Sequence, residues 1–388
     1  MHSSLQNFNF ILPTEIRYGE HRLTELPEVL RQLSIRTALL ITDPGIRQQS
    51  FTEVLLGKLA AADINVSVFD QVEPNPKDYN VEAAAAIARE QRAEAIIALG
   101  GGSPIDCAKA AAVVAAGGGK VRDYEDGSKI SDSVLPLYSV PTTAGTGSEV
   151  TFSAVITDSG DKFKFTVKSP KIAPRIAFID PLLTYSMPPA LTAATGMDAL
   201  THAVEAFSSR NATPLSDAAA LHAVELINRH LYRAFTDPQD GEARAGMMLG
   251  SLLAGIAFSH SDVAAVHCLA EALGGEYDAP HGVCNAIALP VVMEYNLDYA
   301  VARYARLARQ MGFDFATDRA GARMAADRVK ALAQEVGLPE FGSLGVREKD
   351  FQLLAEKSAR NGSNKDNPRP MTAEDYLELL RILQRGRA

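Results

Sequence analysis

The stretch AIIALGGGSPIDCAKAAAVVAA, residues 95–116, predicts the fold of the first half of this chain. Residues 95–99 form an apolar run typical of a buried strand, and the glycines Gly100–Gly102 separate it from an alanine-rich helical pattern. Ser103 suits the N-cap of that helix and Pro104 its first position. Free amides and the positive end of a helix dipole bind pyrophosphate, so the stretch predicts a nucleotide site; a tight turn without a ligand is the alternative.

Further strand patterns lie on both sides of this stretch. Apolar and β-branched runs occupy residues 37–42, 64–70 and 134–140, and helical patterns separate them. Strands that alternate with helices predict a parallel α/β sheet. Residues 6–18 alternate apolar and polar side chains around Pro13, which predicts an edge strand or arm able to pair with another subunit.

Polar residues follow two of the predicted strands. Asp43 comes directly after residues 37–42, where a carboxylate can accept hydrogen bonds from both hydroxyls of an adenosine ribose; capping a turn before Pro44 is the alternative. The loop PTTAGTGSEVT (141–151) has no bulky side chain and can lie flat against a cofactor. Its hydroxyl groups belong to Thr142, Thr143 and Thr146.

The composition limits the classes of function. A chain of 388 residues predicts two domains of roughly 150 to 200 residues each. Hydrophobic residues make up 47% and charged residues 22%, as in globular enzymes. A net charge of −9 without a cluster of Lys and Arg argues against nucleic acid.

The location is predicted from absences in the sequence. Three cysteines without CxxC spacing fit a reducing compartment. The N-terminal residues show no signal-peptide pattern, and no apolar run approaches the roughly 20 residues of a membrane span. We therefore expect a cytoplasmic protein without a membrane partner.

The second half of the chain has a different character. After Pro188 and Pro189 the strand patterns end, and Ala- and Leu-rich helical patterns continue almost to the C-terminus. We expect an α/β domain over residues 1–185 and a helical domain over residues 186–388.

The stretch TGMDALTHAVEAF, residues 195–207, contains the first candidate metal ligands. Asp198 lies four residues before His202 in a run of helix formers, so both side chains project from one helix face. Taken alone, this spacing is more typical of a solvated or packed helix face than of a metal site.

Two more imidazoles lie close together in the later sequence. His267 belongs to a helical stretch, and His281 is predicted in a loop between Pro280 and Gly282. With Asp198 and His202 they make a set of three histidines and one carboxylate. Such nitrogen and oxygen ligands suit Fe(II) or Zn(II) and usually leave a position open for substrate or water.

Five motifs, in this order, resemble those of the iron-containing (group III) alcohol dehydrogenases. They are GGGSPIDCAKA (100–110), PTTAGTGSEVT (141–151), MPPALTAATGMDALTHAVEAF (187–207), HCLAEALGGEYDAPHGVCNAIALP (267–290) and NPRP (367–370). The resemblance covers nearly the whole chain. It implies a dehydroquinate synthase-like architecture: an N-terminal Rossmann-like dinucleotide domain, an all-α C-terminal domain, and a divalent metal in the cleft between them.

The resemblance also implies the roles of individual residues. The family's metal ligands match Asp198, His202, His267 and His281. Its nucleotide contacts match Asp43, Asn75, Gly101, Gly102, Thr142, Thr143, Thr146 and Lys164, and Ser103 lies in the same glycine motif. An aspartate at position 43 then predicts NAD(H) over NADP(H). The metal is expected to be Fe(II), with Zn(II) as the alternative, and the assembly a homodimer or larger oligomer.

One position departs from the family pattern. Four residues after His267 the family usually has a second histidine, whereas this chain has Glu271. Histidine, a candidate proton relay with an ordinary pKa near 6.5, is thus replaced by a carboxylate with an ordinary pKa near 4.3. Glu271 is therefore a candidate catalytic residue that either takes over part of the relay or selects against anionic aldehydes.

These features predict oxidation of a small primary alcohol or diol by NAD, with aldehyde reduction in the reverse direction. One alternative is a metal- and NAD-dependent lyase that resembles dehydroquinate synthase, although its phosphorylated substrates would require lysines or arginines that are missing around the four ligands. The other alternative is a non-catalytic relative that has kept the fold.

Overall fold

The computed structural model describes residues 7–386, so the first six and the last two residues lie outside it. The chain divides into two compact units. The α/β unit contains Ile11–Thr143 and Ser148–Ser186. The helical unit contains the residues from Met187 onward, the short segment Ala144–Gly147 and the segment that ends at Phe10.

A six-stranded parallel sheet forms the centre of the α/β unit, which confirms the predicted fold class. Its strands are β1 (Glu15–Tyr18), β2 (Thr37–Ile41), β3 (Asn65–Phe69), β4 (Ala95–Gly100), β5 (Leu137–Pro141) and, after the hairpin, β8 (Ile176–Ile179). The spatial order is β1-β8-β5-β4-β2-β3, and all pairs are parallel. A separate antiparallel hairpin consists of β6 (Ser153–Asp158) and β7 (Phe163–Lys168). The predicted edge strand at the N-terminus is confirmed for Glu15–Tyr18 only.

Helices cover both faces of this sheet, which explains why its central strands are continuously apolar. They are α1 (Leu26–Gln32), α2 (Pro44–Arg47), α3 (Ser50–Ala61), α4 (Asp78–Glu90) and α5 (Gly102–Gly117). Side chains of β4 alternate between two cores: Ile96 and Ala98 pack with α4 and α5, whereas Ile97 and Leu99 pack with α1 and α3. The carboxyl ends of β4 and β2 therefore lie side by side at one edge of a well-supported layer.

The start of α5 differs from the prediction. Gly101 is the N-cap and the helix begins at Gly102, so Ser103 is not the capping residue. The chain turns sharply at Gly100, whose φ is +149°, and a Cβ at that position would lie 2.6 Å from Pro104 Cγ. The helix therefore begins two residues earlier than the side-chain preferences of Ser103 and Pro104 indicate. The early turn is possible because glycine at position 100 tolerates this backbone conformation.

Helices form the second unit. They are α6 (Pro189–Ser208), α7 (Pro214–Thr236), α8 (Gly241–Ser261), α9 (Ala265–Tyr277), α10 (His281–Gln310), α11 (Asp318–Glu335), α12 (Phe351–Arg360) and α13 (Ala373–Gln384). Within residues 7–386 no single helix has the length and apolar character needed to cross a membrane; α8 and α9 meet that test only as a pair bent by 99°.

Two close approaches explain glycines of the helical unit. A Cβ at Gly196 of α6 would lie 2.3 Å from Leu231 Cδ1 of α7, so the glycine lets these helices pack tightly. In the segment Ala144–Gly147, Gly147 has φ +59° and its Cβ position lies 2.5 Å from the Cα of Gly255 in α8. This segment is thus packed backbone against backbone onto its helix.

Candidate active site

Helix α6 presents the first two candidate metal ligands. Pro189 occupies its first turn, and the residues that follow are mainly strong helix formers. Asp198 and His202 are buried, with 2% and 5% of their surface exposed. Of the alternatives considered for this pair, a solvated helix face is therefore wrong, whereas a packed helix face is consistent with the burial.

The other two candidate ligands come from consecutive helices. His267 lies in the first turn of α9, and His281 is the first residue of α10, with Pro280 as its N-cap. The predicted loop around His281 is wrong. Gly282 is not a loop residue either: a Cβ there would lie 2.6 Å from the carbonyl oxygen of Ala194, so it allows α10 to approach α6.

The structure brings these four side chains together. His202 Nε2 lies 3.0 Å from His267 Nε2, and Asp198 Oδ1 lies 4.0 Å from His267 Nε2 and 3.8 Å from His281 Nε2. Ligand atoms of Asp198, His267 and His281 all lie within 4.8 Å of one another, and His202 adjoins this group through His267. Two atoms bound tetrahedrally to one ion at about 2.1 Å would be roughly 3.4 Å apart, so the donor spacing fits a metal ion.

The electrostatics of the cluster suit a cation. Burial lowers the pKa of His202 to about 4, against the opposing effect of Asp198, so its imidazole is neutral at neutral pH and keeps a lone pair. Burial alone would raise the pKa of Asp198, but the three imidazoles lower it, so the carboxylate is ionised. For His267 burial opposes protonation, yet the hydrogen bond and charge of Glu205 give a raised pKa.

Two residues of the cluster were missed in the sequence. Glu205 accepts a hydrogen bond from His267 Nδ1 at 2.6 Å, and Asn285 Nδ2 donates to Asp198 Oδ1 at 2.6 Å. Asn285 Nδ2 also lies 3.1 Å from His267 Nε2 and 3.2 Å from His281 Nε2. Their spacing could have indicated them: Glu205 follows His202 by three residues and Asn285 follows His281 by four, so each shares a helix face with a candidate ligand.

Glu271 lies on α9 one turn beyond His267. It is partly buried, and its Oε2 accepts a hydrogen bond of 2.6 Å from the side-chain amide of Asn361. Asn361 separates α12 from the loop that leads to the NPRP motif. The carboxylate is therefore held in place from a distant part of the helical unit.

Asp43 at the end of β2 is a helix cap. Its Oδ1 accepts hydrogen bonds from the amides of Gly45 and Ile46, both at 2.9 Å. Its Oδ2 lies toward the neighbouring glycine turn, where a Cβ at Gly100 would be 3.4 Å away. Of the two roles considered for Asp43, capping is observed, and it uses Oδ1.

The glycine turn lies against the threonine loop. A Cβ at Gly101 would lie 3.1 Å from Thr143 Oγ1, and the amide of Thr142 donates to the carbonyl of Gly100 at 3.0 Å. Thr142 Oγ1 is buried and has no hydrogen-bond partner within residues 7–386, which fits a group that binds a ligand. Gly102 and Ser103 open α5 beside them, whereas Thr146 belongs to the helical unit.

Asn75 and Lys164, far apart in sequence, also meet. Lys164 Nζ donates to Asn75 Oδ1 at 2.7 Å, and both residues are buried. Asn75 has φ +51°, a left-handed conformation that asparagine tolerates better than most residues. The hairpin strand β7 carries Lys164 to this position, which the surface location usual for lysine did not indicate.

A buried lysine lies beneath the threonine loop. Lys109 Nζ donates to Thr151 Oγ1 at 2.7 Å, to Ser153 O at 2.8 Å and to Ser148 Oγ at 3.0 Å. Three acceptors match the three hydrogens of an ammonium group. Burial lowers its pKa to about 8, so it remains charged at neutral pH. Asp106, 3.7 Å away, adds a counter-charge and accepts from the amide of Val155. This network fixes the loop to α5.

Comparisons with known proteins agree with this geometry. Residues 13–181 match the model of the iron-containing alcohol dehydrogenases, and residues 192–383 match that of the C-terminal part of the same family. The 1,3-propanediol dehydrogenase of Citrobacter freundii is 39% identical over 97% of this chain and 99% of its own. The NAD-dependent methanol dehydrogenase of Bacillus methanolicus is 35% identical, covering 96% and 99%. A crystal structure of a 1,3-propanediol oxidoreductase superposes with a TM-score of 0.93 at 38% identity, covering 97% of this chain and all of the other.

The α/β unit has a parallel sheet with a glycine turn, and the helical unit has a buried cluster of histidines and a carboxylate. Together they define the class of the protein: a metal-dependent oxidoreductase that uses a nicotinamide nucleotide. The chain belongs to the iron-containing alcohol dehydrogenase family. NAD(H) and iron are the cofactors of this family, and its reaction is the interconversion of alcohols and aldehydes.

Proposed function

We propose that this enzyme oxidises small primary alcohols or diols with NAD and reduces the corresponding aldehydes with NADH. The observation that carries the proposal is the buried cluster of Asp198, His202, His267 and His281. The names of two relatives, a propanediol and a methanol dehydrogenase, support a short primary alcohol as the substrate.

The four clustered side chains are the proposed metal ligands. Three neutral imidazoles and one carboxylate would leave a divalent ion with a net charge of +1, which suits a single alcohol or carbonyl oxygen. When bound, such an ion acts as a Lewis acid toward that oxygen. Fe(II) is the proposed metal and Zn(II) the alternative. Asn285 keeps the Asp198 carboxylate in position through its 2.6 Å hydrogen bond.

The α/β unit is the proposed nucleotide site. The amides at the start of α5, with Gly101 and Gly102, would hold the pyrophosphate, and Thr142 and Thr143 would contribute hydroxyl groups. The remaining proposed contacts are Ser103, Thr146, Asn75 and Lys164. Asp43 Oδ2 would accept hydrogen bonds from the adenosine ribose, while its negative charge disfavours the 2′-phosphate of NADP. The task of these residues is to orient the nicotinamide for hydride transfer.

The direct test is turnover of the purified enzyme with defined metals. Protein loaded with Fe(II) or Zn(II) is assayed by NADH absorbance on neutral, hydroxylated, carboxylated and sulfonated aldehydes and on the matching alcohols. We expect the highest kcat/KM on short neutral aldehydes and diols. His267→Ala is expected to lower kcat/KM by about 100-fold or more, the loss of roughly 2.7 kcal/mol. No NADH-linked turnover with either metal would contradict the proposal.

We further propose a cytoplasmic homodimer. Cys107, Cys268 and Cys284 are buried and form no disulfide within the described residues, which fits a reducing compartment. Strand β1 is an edge strand, and Ile11 and Leu12 just before it are 50% and 40% exposed. Exposed apolar residues beside a sheet edge favour association with a second copy. Light scattering should give twice the chain mass, and Leu12→Asp should shift it toward the monomer; a monomeric wild type would contradict this assembly.

A further inference from the structure

Glu205 is a buried carboxylate that has no lysine or arginine among its hydrogen-bond partners within residues 7–386. Only 3% of its surface is exposed, and its partners are the amides of Ala264 and Val266, at 3.0 and 2.7 Å, and His267 Nδ1, at 2.6 Å. Burying a carboxylate is costly unless several donors compensate for lost hydration. Three donors from one short segment of chain therefore indicate a specific task in this segment.

The neighbours of the cluster determine which nitrogen of His267 carries hydrogen. Asp198 Oδ1 is an acceptor, so the group of Asn285 that lies 2.6 Å from it must be the NH₂. The second hydrogen of that NH₂ is shared between two candidates, His267 Nε2 at 3.1 Å and His281 Nε2 at 3.2 Å, so it does not determine the tautomer of His267. The Glu205 carboxylate does, because it can only accept the 2.6 Å hydrogen bond from His267 Nδ1. The hydrogen of the neutral ring is then on Nδ1, where it is donated to Glu205. Glu205 thus selects the tautomer whose Nε2 lone pair is directed at the cluster.

We propose that Glu205 is a positioning residue for metal binding: it holds His267 in the tautomer and ring orientation that present Nε2 to the ion. The inference rests on the proposed function, because it takes His267 as a ligand. It adds a residue that the ligand set does not contain. A carboxylate behind a metal-binding histidine fixes the ring and increases the basicity of the ligating nitrogen.

A purely structural role would be to cap α9. The N-cap of α9 is Ala264, which has no capping side chain, and Glu205 does bind two amides at this helix start. Capping alone, however, leaves the shortest of the three contacts, that to His267 Nδ1, without a purpose. Positioning predicts that the effects of mutating Glu205 and His267 on metal affinity depend on each other, whereas capping predicts independent effects. Mutations can therefore separate the two roles.

The first measurement is the metal affinity of Glu205→Gln. The NH₂ of glutamine would face at least one of the three donors, so the hydrogen bond that orients His267 is weakened or lost. Dissociation constants for Zn(II) and Co(II) are measured by competition with a chelator. We expect about 10- to 100-fold weaker binding, the range found for such supporting residues, and altered visible absorption bands of bound Co(II). Glu276→Gln is the matched control: it removes a carboxylate of α9, the helix of His267, that contacts Lys357, and it should bind metal as wild type does.

A double-mutant cycle with His267→Asn separates positioning from capping. If Glu205 acts through His267, Glu205→Gln should weaken metal binding by less than about 3-fold in the His267→Asn background. Equal losses in both backgrounds would overturn the proposal in favour of capping. The melting temperature of each metal-free variant reports folding. If Glu205→Gln does not fold, Glu205→Asp, which keeps the charge but shortens the reach, should still weaken metal binding.

The outcomes distinguish this inference from the proposed function. A wild-type protein that binds neither Zn(II) nor Co(II) would refute the metal site and the inference together. A wild type that binds metal, with Glu205→Gln and Glu205→Asp equal to it, would refute the inference alone and leave the proposed ligands intact.

Discussion

The carboxylate of Glu271 is joined to the amide of Asn361, with 2.6 Å between Oε2 and Nδ2. The two residues are 90 positions apart, on α9 and directly after α12. This contact holds the negative charge one helical turn from His267, at the position where the family usually has histidine. The orientation of the carboxylate is thus determined by the fold rather than by solvent.

Replacing Glu271 by Gln should shift both substrate preference and the pH–rate profile. Two unit charges about 7 Å apart interact by roughly 2 kcal/mol at an effective dielectric constant of 20, so removing the charge should favour a carboxylated aldehyde over a neutral one by about 30-fold in relative kcat/KM. Asn361→Ala, which keeps the charge and removes its support, is the control. If neither the pH profile nor the preference changes, Glu271 has no part in relay or selection.

Asp43→Asn should relax the preference for NAD over NADP. The amide keeps an oxygen that can cap α2, so the melting temperature should change little, whereas the charge that repels a 2′-phosphate is lost. We expect the ratio of kcat/KM for NAD to that for NADP to fall by about tenfold, or ~1.4 kcal/mol. An unchanged ratio in a folded variant would show that Asp43 only caps the helix.

The buried carboxyl of Glu149 should make stability depend on pH. Burial raises its pKa to about 7, and Oε1 has no hydrogen-bond partner in the described part of the chain. Because the folded pKa is above the unfolded value, the folded state holds an extra proton between about pH 4.5 and 7, and stability is lost as the pH rises through this window. A rise from pH 5 to pH 8 should therefore destabilise the wild type more than Glu149→Gln, by up to about 3 kcal/mol. Thermal melting of both proteins across this pH range measures the difference. Parallel curves for the two proteins would contradict the assignment.

Lys109→Met should destabilise the α/β unit. The substitution keeps much of the volume but leaves Thr151, Ser148 and the carbonyl of Ser153 without their shared donor, and Asp106 without its nearest cation. Removing one member of such a buried network costs about 3–5 kcal/mol. Unfolding in urea measures this loss, and Lys168→Met on the exposed end of β7 provides the comparison. A loss no larger than that of the control would mean that the ammonium group is not needed.

Local patterns predicted the parts of the fold that depend on few neighbours. The apolar run at residues 95–99 and its glycines predicted β4 and the helix after it, because a strand buried on both faces and a sharp turn each leave a composition that is visible in sequence. The spacing of Asp198 and His202 likewise placed both on one face of α6. The spacing alone could not show that both side chains are buried, because their burial depends on α7 and α8 packing against α6.

The residues that were missed depend on contacts between distant segments. Glu205 meets His267 across 62 positions, and Lys109 meets Ser148 across 39. A glutamate or a lysine is usually solvated, so its type gave no sign of burial. The helix start at His281 was mistaken for a loop because Pro280 and Gly282 normally signal turns; here the glycine is required by the approach of α10 to Ala194.

The backbone contact between Gly147 and Gly255 also bears on how this enzyme could be recombined with its relatives. Because Ala144–Gly147 packs with the helices although it is encoded among the strands, a chimaera joined at a single crossover near residue 186 would inherit this tetrapeptide from the wrong parent. Functional hybrids should therefore require either matched glycines at both positions or additional junctions on each side of the tetrapeptide.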